Sequence, residues 1–140
     1  MSKIAVVYWS GTGNTESMAV KVAEGAQVAG AEVTTFTASE FSADDMDSFD
    51  AVAFGCPSMG AEELEESEFE PMFTSCRPKL SGKKIALFGS YGWGDGQWMR
   101  DWEEACIADG AVMAADYLIC NEAPDADAEN ACIELGKALV

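Results

Sequence analysis

Residues Ser10–Thr15 read Ser-Gly-Thr-Gly-Asn-Thr, directly behind the apolar run Lys3–Trp9. Three hydroxyls and one carboxamide supply donors. Gly11 and Gly13 let the backbone curl until N–H groups converge, and a helix starting near Asn14 adds positive potential at its N-terminus. Neutral donors of this kind suffice to bind a phosphate; the alternative is an ordinary turn capped by Asn14 or Thr15. The loop holds no lysine or arginine, and Glu16 follows it. It is not a Walker A loop, which needs Gly-Lys-Ser/Thr at its end, and Glu16 stands where a dinucleotide fingerprint needs its third glycine.

Two more stretches carry unusual chemistry. Gly55–Glu63 reads GCPSMGAEE, and Gly89–Gly96 reads GSYGWGDG. The glycines of the second stretch let a backbone come close to a flat ligand, while Tyr91 and Trp93 offer stacking faces. Trp93 lies between two glycines, a poor position for a core residue.

These loops need elements to position them. Lys3–Trp9, Asp50–Cys56, Lys83–Ser90 and Ala111–Ile119 are continuous apolar runs, as expected of strands covered on both faces. Glu32–Thr37 is a further strand. From Asn14, apolar residues at Met18, Ala19, Val22, Ala23, Ala26 and Ala29 follow helical spacing, with Gly30 as the stop. Ser42 caps a short turn through Met46, and an acidic loop leads into a short helix through Phe73. A helix with Trp98, Met99, Trp102, Ala105 and Cys106 on one face runs to Gly110, and Asp125–Leu139 forms the last. Strands alternating with helices predict an α/β, doubly wound parallel sheet of five strands with helices on both faces. Ligands bind such sheets at the carboxyl ends of the strands, which is where the three loops emerge.

Composition narrows the function. The 140 residues, 49% apolar, suit one domain (residues 1–140) with one buriable core. Lys and Arg total 8 against 25 for Asp and Glu, a formal charge of −17, which repels nucleic acid and anionic membranes and favours basic partners. There is no histidine, so the commonest general base and the Ser–His and Cys–His pairs are excluded. Five scattered cysteines without a C-x-x-C pair argue against a metal centre or a disulfide framework. Most read as core residues, with Cys56 the one expected nearest a ligand. With no signal-peptide pattern, the expected location is cytoplasmic.

Together, VYWSGTGNTE, MG-x-E, LEESEFEP and ALFGSYGWGDG-x-WMRD resemble the short-chain flavodoxins typical of anaerobic bacteria, and the similarity runs nearly the whole chain. The resemblance implies strand order 2-1-3-4-5 and non-covalently bound FMN. It implies a phosphate on Ser10, Gly11, Thr12, Gly13, Asn14 and Thr15, and counts Ser58 among the cofactor-binding residues. It places the isoalloxazine between Met59 inside and Trp93 outside, Glu62 near N3, and Ser90, Tyr91, Gly92 and Gly94 along the other edge. The Gly60 carbonyl would accept the N5 proton of the neutral semiquinone. A turn presenting that carbonyl demands positive φ at Ala61, a departure from the Asp, Gly, Asn or Ser of many relatives.

The family's task is single-electron shuttling between redox proteins, with no catalytic residue of its own. The cation-free phosphate loop and the high negative charge would hold the last electron at low potential. The run Glu62, Glu63, Glu65, Glu66, Glu68 and Glu70 would dock a monomeric carrier on basic-rimmed reductases or oxidoreductases. An FMN-dependent quinone or NAD(P)H oxidoreductase is the alternative, although Trp93 would cover the ring and the chain is short. A response regulator would need aspartates where Trp9–Ser10 and Gly55–Cys56 stand. A phosphotyrosine phosphatase would need a Cys-x₅-Arg loop, which is absent.

Overall fold

A computed structural model describes residues 2–140. The elements in chain order are β1 (Lys3–Tyr8), α1 (Asn14–Val28), β2 (Glu32–Thr37), α2 (Ala43–Met46), β3 (Ala51–Gly55) and α3 (Phe69–Cys76). They are followed by β4 (Lys84–Tyr91), α4 (Gln97–Ala108), β5 (Val112–Met113), β6 (Leu118–Asn121) and α5 (Ala126–Ala138). The sheet is parallel with order β2-β1-β3-β4-β5, and β6 also pairs with β4. This is the expected doubly wound order.

The apolar strands divide their side chains between two cores, as a period of two requires. On β1, Ala5 and Val7 join Phe54, Phe69, Phe73 and Trp98 on one face, while Ile4 and Val6 join Met18, Val22 and Leu135 on the other. Ile4–Val7 are 0% exposed, so the run is apolar throughout because both faces are covered. At the sheet edge, β2 is largely exposed, with only Val33 and Phe36 partly buried, one against each core.

The final strand differs from expectation. Instead of one strand over Ala111–Ile119, β5 and β6 both pair with β4, with Lys84 opposite Val112 and Phe88 opposite Leu118. Four residues of β4 are thus matched by six, a bulge of two. It lets Ala114 and Ala115 pack on one core and Tyr117 on the other, while Asp116 stays exposed.

Helices α1 and α5 meet backbone to backbone. A Cβ on Gly25 of α1 would overlap the Ile133 carbonyl oxygen of α5, and one on Gly136 of α5 would overlap the Val22 carbonyl oxygen of α1. The close approach fixes α1, and with it the loop that feeds its N-terminus.

A second device fixes α3. The buried Glu65, 5% exposed, accepts the N–H groups of Glu68 and Phe69 at 2.7 and 2.9 Å, the Ser67 N–H at 2.8 Å and the Ser67 hydroxyl. Its carboxylate therefore caps the first turn of α3. Burial pushes its pKa up, but these hydrogen bonds outweigh that and hold it below the usual carboxylate range.

Gly25→Ala and Gly136→Ala should each destabilise the fold by about 1–3 kcal/mol in urea unfolding. Helix propensity alone predicts the opposite sign, a gain of roughly 1 kcal/mol. Glu65→Gln, which mimics the protonated acid, should cost about 1–2 kcal/mol at neutral pH. Because the folded pKa is depressed, that contribution is present above the ordinary carboxylate pKa and lost as pH falls through the folded one. The gap between wild type and variant should therefore close in acid.

Candidate cofactor site

The carboxyl ends of β1, β3 and β4 lie side by side. Tyr8 pairs with Gly55, and Gly55 with Phe88, so the three loops leave the sheet at one edge. Hydrogen bonds then tie them together. Trp9 N–H donates to Gly55 O at 3.0 Å, Ser58 N–H to Ser90 O at 3.0 Å, and the Thr15 and Ser90 hydroxyls lie 3.0 Å apart. A bulky residue cannot replace Gly89, because a Cβ there would overlap the Cys56 carbonyl oxygen.

The first loop is held open by its own serine. Ser10 Oγ accepts the N–H groups of Gly13 at 3.1 Å and Glu16 at 3.2 Å. Gly13, at φ 98°, turns the chain into α1 in a conformation that favours glycine. Among the described residues, the N–H groups of Gly11, Thr12, Asn14 and Thr15 donate to no protein acceptor, as the start of a helix leaves them. They form a cluster of backbone donors at the positive end of α1.

Beside it lies a cavity of about 480 Å³ at the switch point between β1 and β3. It is lined by Gly11, Thr12 and Asn14 from the first loop, Ser58 and Met59 from the second, and Ser90, Tyr91 and Gly92 from the third. The Ser58 hydroxyl is buried with no hydrogen-bond partner. A buried orphan of this kind is costly unless a ligand satisfies it. Neither lysine nor arginine lines the cavity. Its donor set of free N–H groups and hydroxyls suits an anion held without a counter-charge.

A second cavity, about 510 Å³, flanks the same loop on the β2 side and takes in Tyr8, Ser10, Gly13, Glu16, Thr37 and Glu68. Glu16 is not free in solvent there: Tyr8 OH donates to its Oε2 at 2.9 Å. Burial and this carboxylate together raise the phenol's pKa.

Thr15, Gly60, Ala61, Glu62, Trp93 and Gly94, also expected at the site, do not line the cavity at the switch point. Thr15 is buried beneath the loop against Ser90. Gly60 and Ala61 sit in a hairpin closed by paired 2.8 Å hydrogen bonds between Met59 and Glu63. Ala61 does not take the positive φ expected of it; Gly60 (φ 53°) and Glu62 (φ 56°) do. The reason is local. Glycine takes the first reversal freely, and the second is held because Glu62 Oε1 accepts Gln97 N–H at 3.1 Å, at the start of α4. The same carboxylate covers Gly94, whose φ of 85° and missing side chain make room for it. Met59, 36% exposed, lines the cavity, whereas Trp93, 59% exposed, stands outside it.

Two expectations change. Cys56 is fully buried in the core under the loop, accepts the Glu65 N–H at 3.3 Å, and has its thiol pKa pushed far up by burial. It is a packing residue. The acidic run expected to dock partners is also not wholly free to do so: Glu65 caps α3, Glu62 caps α4, and Glu68 accepts the Trp9 indole N–H at 2.9 Å.

The cavity also draws in Trp9, Pro57, Glu122 and Ala123, which sequence reasoning missed. Glu122 has positive φ (57°) and its N–H donates to Tyr91 O at 2.8 Å, closing the site from the loop after β6. The proline two residues later, Pro124, was the only signal of a turn there.

Comparison with known proteins agrees with this geometry. The flavodoxin family model matches residues 6–136. The chain is 51% identical to a flavodoxin of Clostridium beijerinckii over 134 residues, 96% of each chain, and 47% identical to one of Megasphaera elsdenii over 135 residues, again 96% of each. The solution structure of two-electron reduced Megasphaera elsdenii flavodoxin superposes with a TM-score of 0.89 at 48% identity, covering 97% of both chains. The chain belongs to the flavodoxin family, whose members bind FMN and carry electrons rather than act as enzymes.

Proposed function

We infer that the 140 residues act as one FMN-binding unit, a monomeric, low-potential one-electron carrier between basic-rimmed redox proteins in a reducing cytoplasm. The observation that carries this reading is the cavity where three loops converge, with an orphaned Ser58 hydroxyl and free N–H groups but no cation. Five free cysteines fit a reducing compartment.

Bound FMN supplies two successive one-electron steps. The chain's residues set how it is held and at what potential. The N–H groups of Gly11, Thr12, Asn14 and Thr15, the Ser10–Thr15 side chains and Ser58 Oγ are assigned to the phosphate. Neutral donors hold the anion without neutralising it, so its charge acts on the ring through a medium of low dielectric. Met59 and Trp93 are assigned to the faces of the isoalloxazine, where they exclude water. Ser90, Tyr91, Gly92 and Gly94 are assigned to one edge and Glu62 to the other. The Gly60 carbonyl is the acceptor assigned to the proton at N5; Gly60 lies in the hairpin Met59–Glu63 at φ 53°. The negative charge that steers basic partners also disfavours the final, anionic reduction step.

The overall reading is tested by anaerobic titration of the FMN-loaded protein. It should take up two electrons at well-separated potentials and pass them to a redox protein, without turning over NAD(P)H and quinone by itself. Rapid quinone reduction by the protein alone would overturn it.

Two substitutions probe the site. Ser58→Ala should weaken FMN binding ten- to a hundredfold, the worth of about 1.5–3 kcal/mol for a hydrogen bond to a charged group. Riboflavin, which lacks the phosphate, should bind the variant as it binds the wild type. Thr12→Lys should raise the potential of the second electron by about 20–70 mV, the effect of one charge roughly 10 Å away at an effective dielectric between those of a protein surface and water. An unchanged potential in a fully loaded variant would show that the missing cation is irrelevant to redox tuning.

A further inference from the structure

Between α3 and α4 lies a groove of about 280 Å³ that belongs to neither cavity of the first loop. Its floor is apolar, formed by Leu64, Phe73, Trp98, Trp102 and Ala105. Its rim carries Glu62, Glu63, Glu70 and Asp101. Among the described residues none of these four carboxylates has a cationic partner. The one cation on the rim, Arg77, is held by Asp109, with its Nε 2.7 Å and its terminal nitrogen 3.3 Å from that carboxylate. The groove is therefore strongly negative.

A second observation is independent of the charge. Trp102 is 3% exposed, packs edge-on against Phe69 and Phe73 at 5.4 and 5.5 Å, and its indole N–H is buried with no acceptor. The tryptophan Trp98, also on the groove, donates to Cys56 O at 3.2 Å. An indole N–H normally finds a partner when buried. Here the orphaned donor belongs to a residue that lines the groove.

We propose that this groove receives an arginine side chain presented by a docking redox partner, seating it beside the flavin loop. The volume suits a single long side chain and no more. An arginine lays its methylene stem on Leu64 and Phe73 and its planar guanidinium among Glu63, Glu70 and Asp101, which its fork geometry can engage bidentately. Lysine fits the charge but lacks the fork. Because Glu62 and Glu63 belong to the hairpin Met59–Glu63, the anchored residue touches the loop that forms one wall of the cofactor cavity. The proposal rests on the carrier reading but is separable from it, since the groove lies outside the cofactor cavity.

The test uses FMN-loaded protein labelled with ¹⁵N and the probe N-acetylarginine amide, with the neutral isostere N-acetylcitrulline amide as control. The Trp102 indole signal, assigned with Trp102→Phe, should shift saturably with the arginine probe, and at least fivefold more weakly with citrulline. The double variant Glu70→Gln/Asp101→Asn should lower the probe's affinity about tenfold while FMN binding and reduction stay unchanged. Three results would overturn the proposal: no saturable shift of Trp102, an equal response to citrulline, or full affinity in the double variant. If FMN binds and is reduced as before while the probe fails, only the groove assignment falls; if FMN itself fails to bind, the carrier reading falls first.

Discussion

Everything at the cofactor end depends on the register of three parallel strands. Tyr8, Gly55 and Phe88 stand side by side across β1, β3 and β4, so three separate loops begin from one line. Parallel strands cannot be joined by tight hairpins, and each must return through a crossover, here through helices. The same geometry that forces the crossovers leaves all the strand exits on one edge. The hydrogen bonds Trp9 to Gly55 and Ser58 to Ser90 then convert adjacency into a single rigid rim.

Helix α1 supplies the positive end that this rim needs, and its position is set far from the site. Reciprocal glycines at Gly25 and Gly136 bring α1 and α5 to backbone contact, which leaves little freedom for α1 to slide. The loop Ser10–Thr15 therefore meets the cavity at a fixed angle. On the opposite face, Glu65 and Glu62 place carboxylates at the starts of α3 and α4. Both helices gain favourable charge at their N-termini. Part of the high negative charge thus serves the fold.

The α/β class and nearly every element were legible in the sequence, because strands buried on both faces read as apolar runs while helices keep a 3.6-residue period; the strand order came only with the family resemblance. The break between β5 and β6 was not legible, since Ala111–Ile119 is apolar enough for one strand and the bulge answers to the register of β4. The three loops could be read from their glycines and hydroxyls. Their mutual hydrogen bonds could not, because Thr15 and Ser90 lie 75 residues apart. Cys56 was misjudged for a related reason: at the end of a buried strand, one residue's shift decides between core and site. The role of Ala61 failed similarly, since the Glu62–Gln97 bond that moves the left-handed position is invisible in a local pattern. Glu122 carried no motif, and Trp9, though inside VYWSGTGNTE, was given no role there; both entered the site only through the fold.

In the function proposed for it, the chain holds a phosphate with neutral donors, and the phosphate charge opposes the last electron. The most direct measurement compares the second one-electron potential of the protein loaded with FMN and with riboflavin, at the same pH and ionic strength. Removing the dianion should raise that potential on the order of tens of millivolts, with the difference shrinking as salt is added. Equal potentials, or a lower one with riboflavin, would contradict the claim.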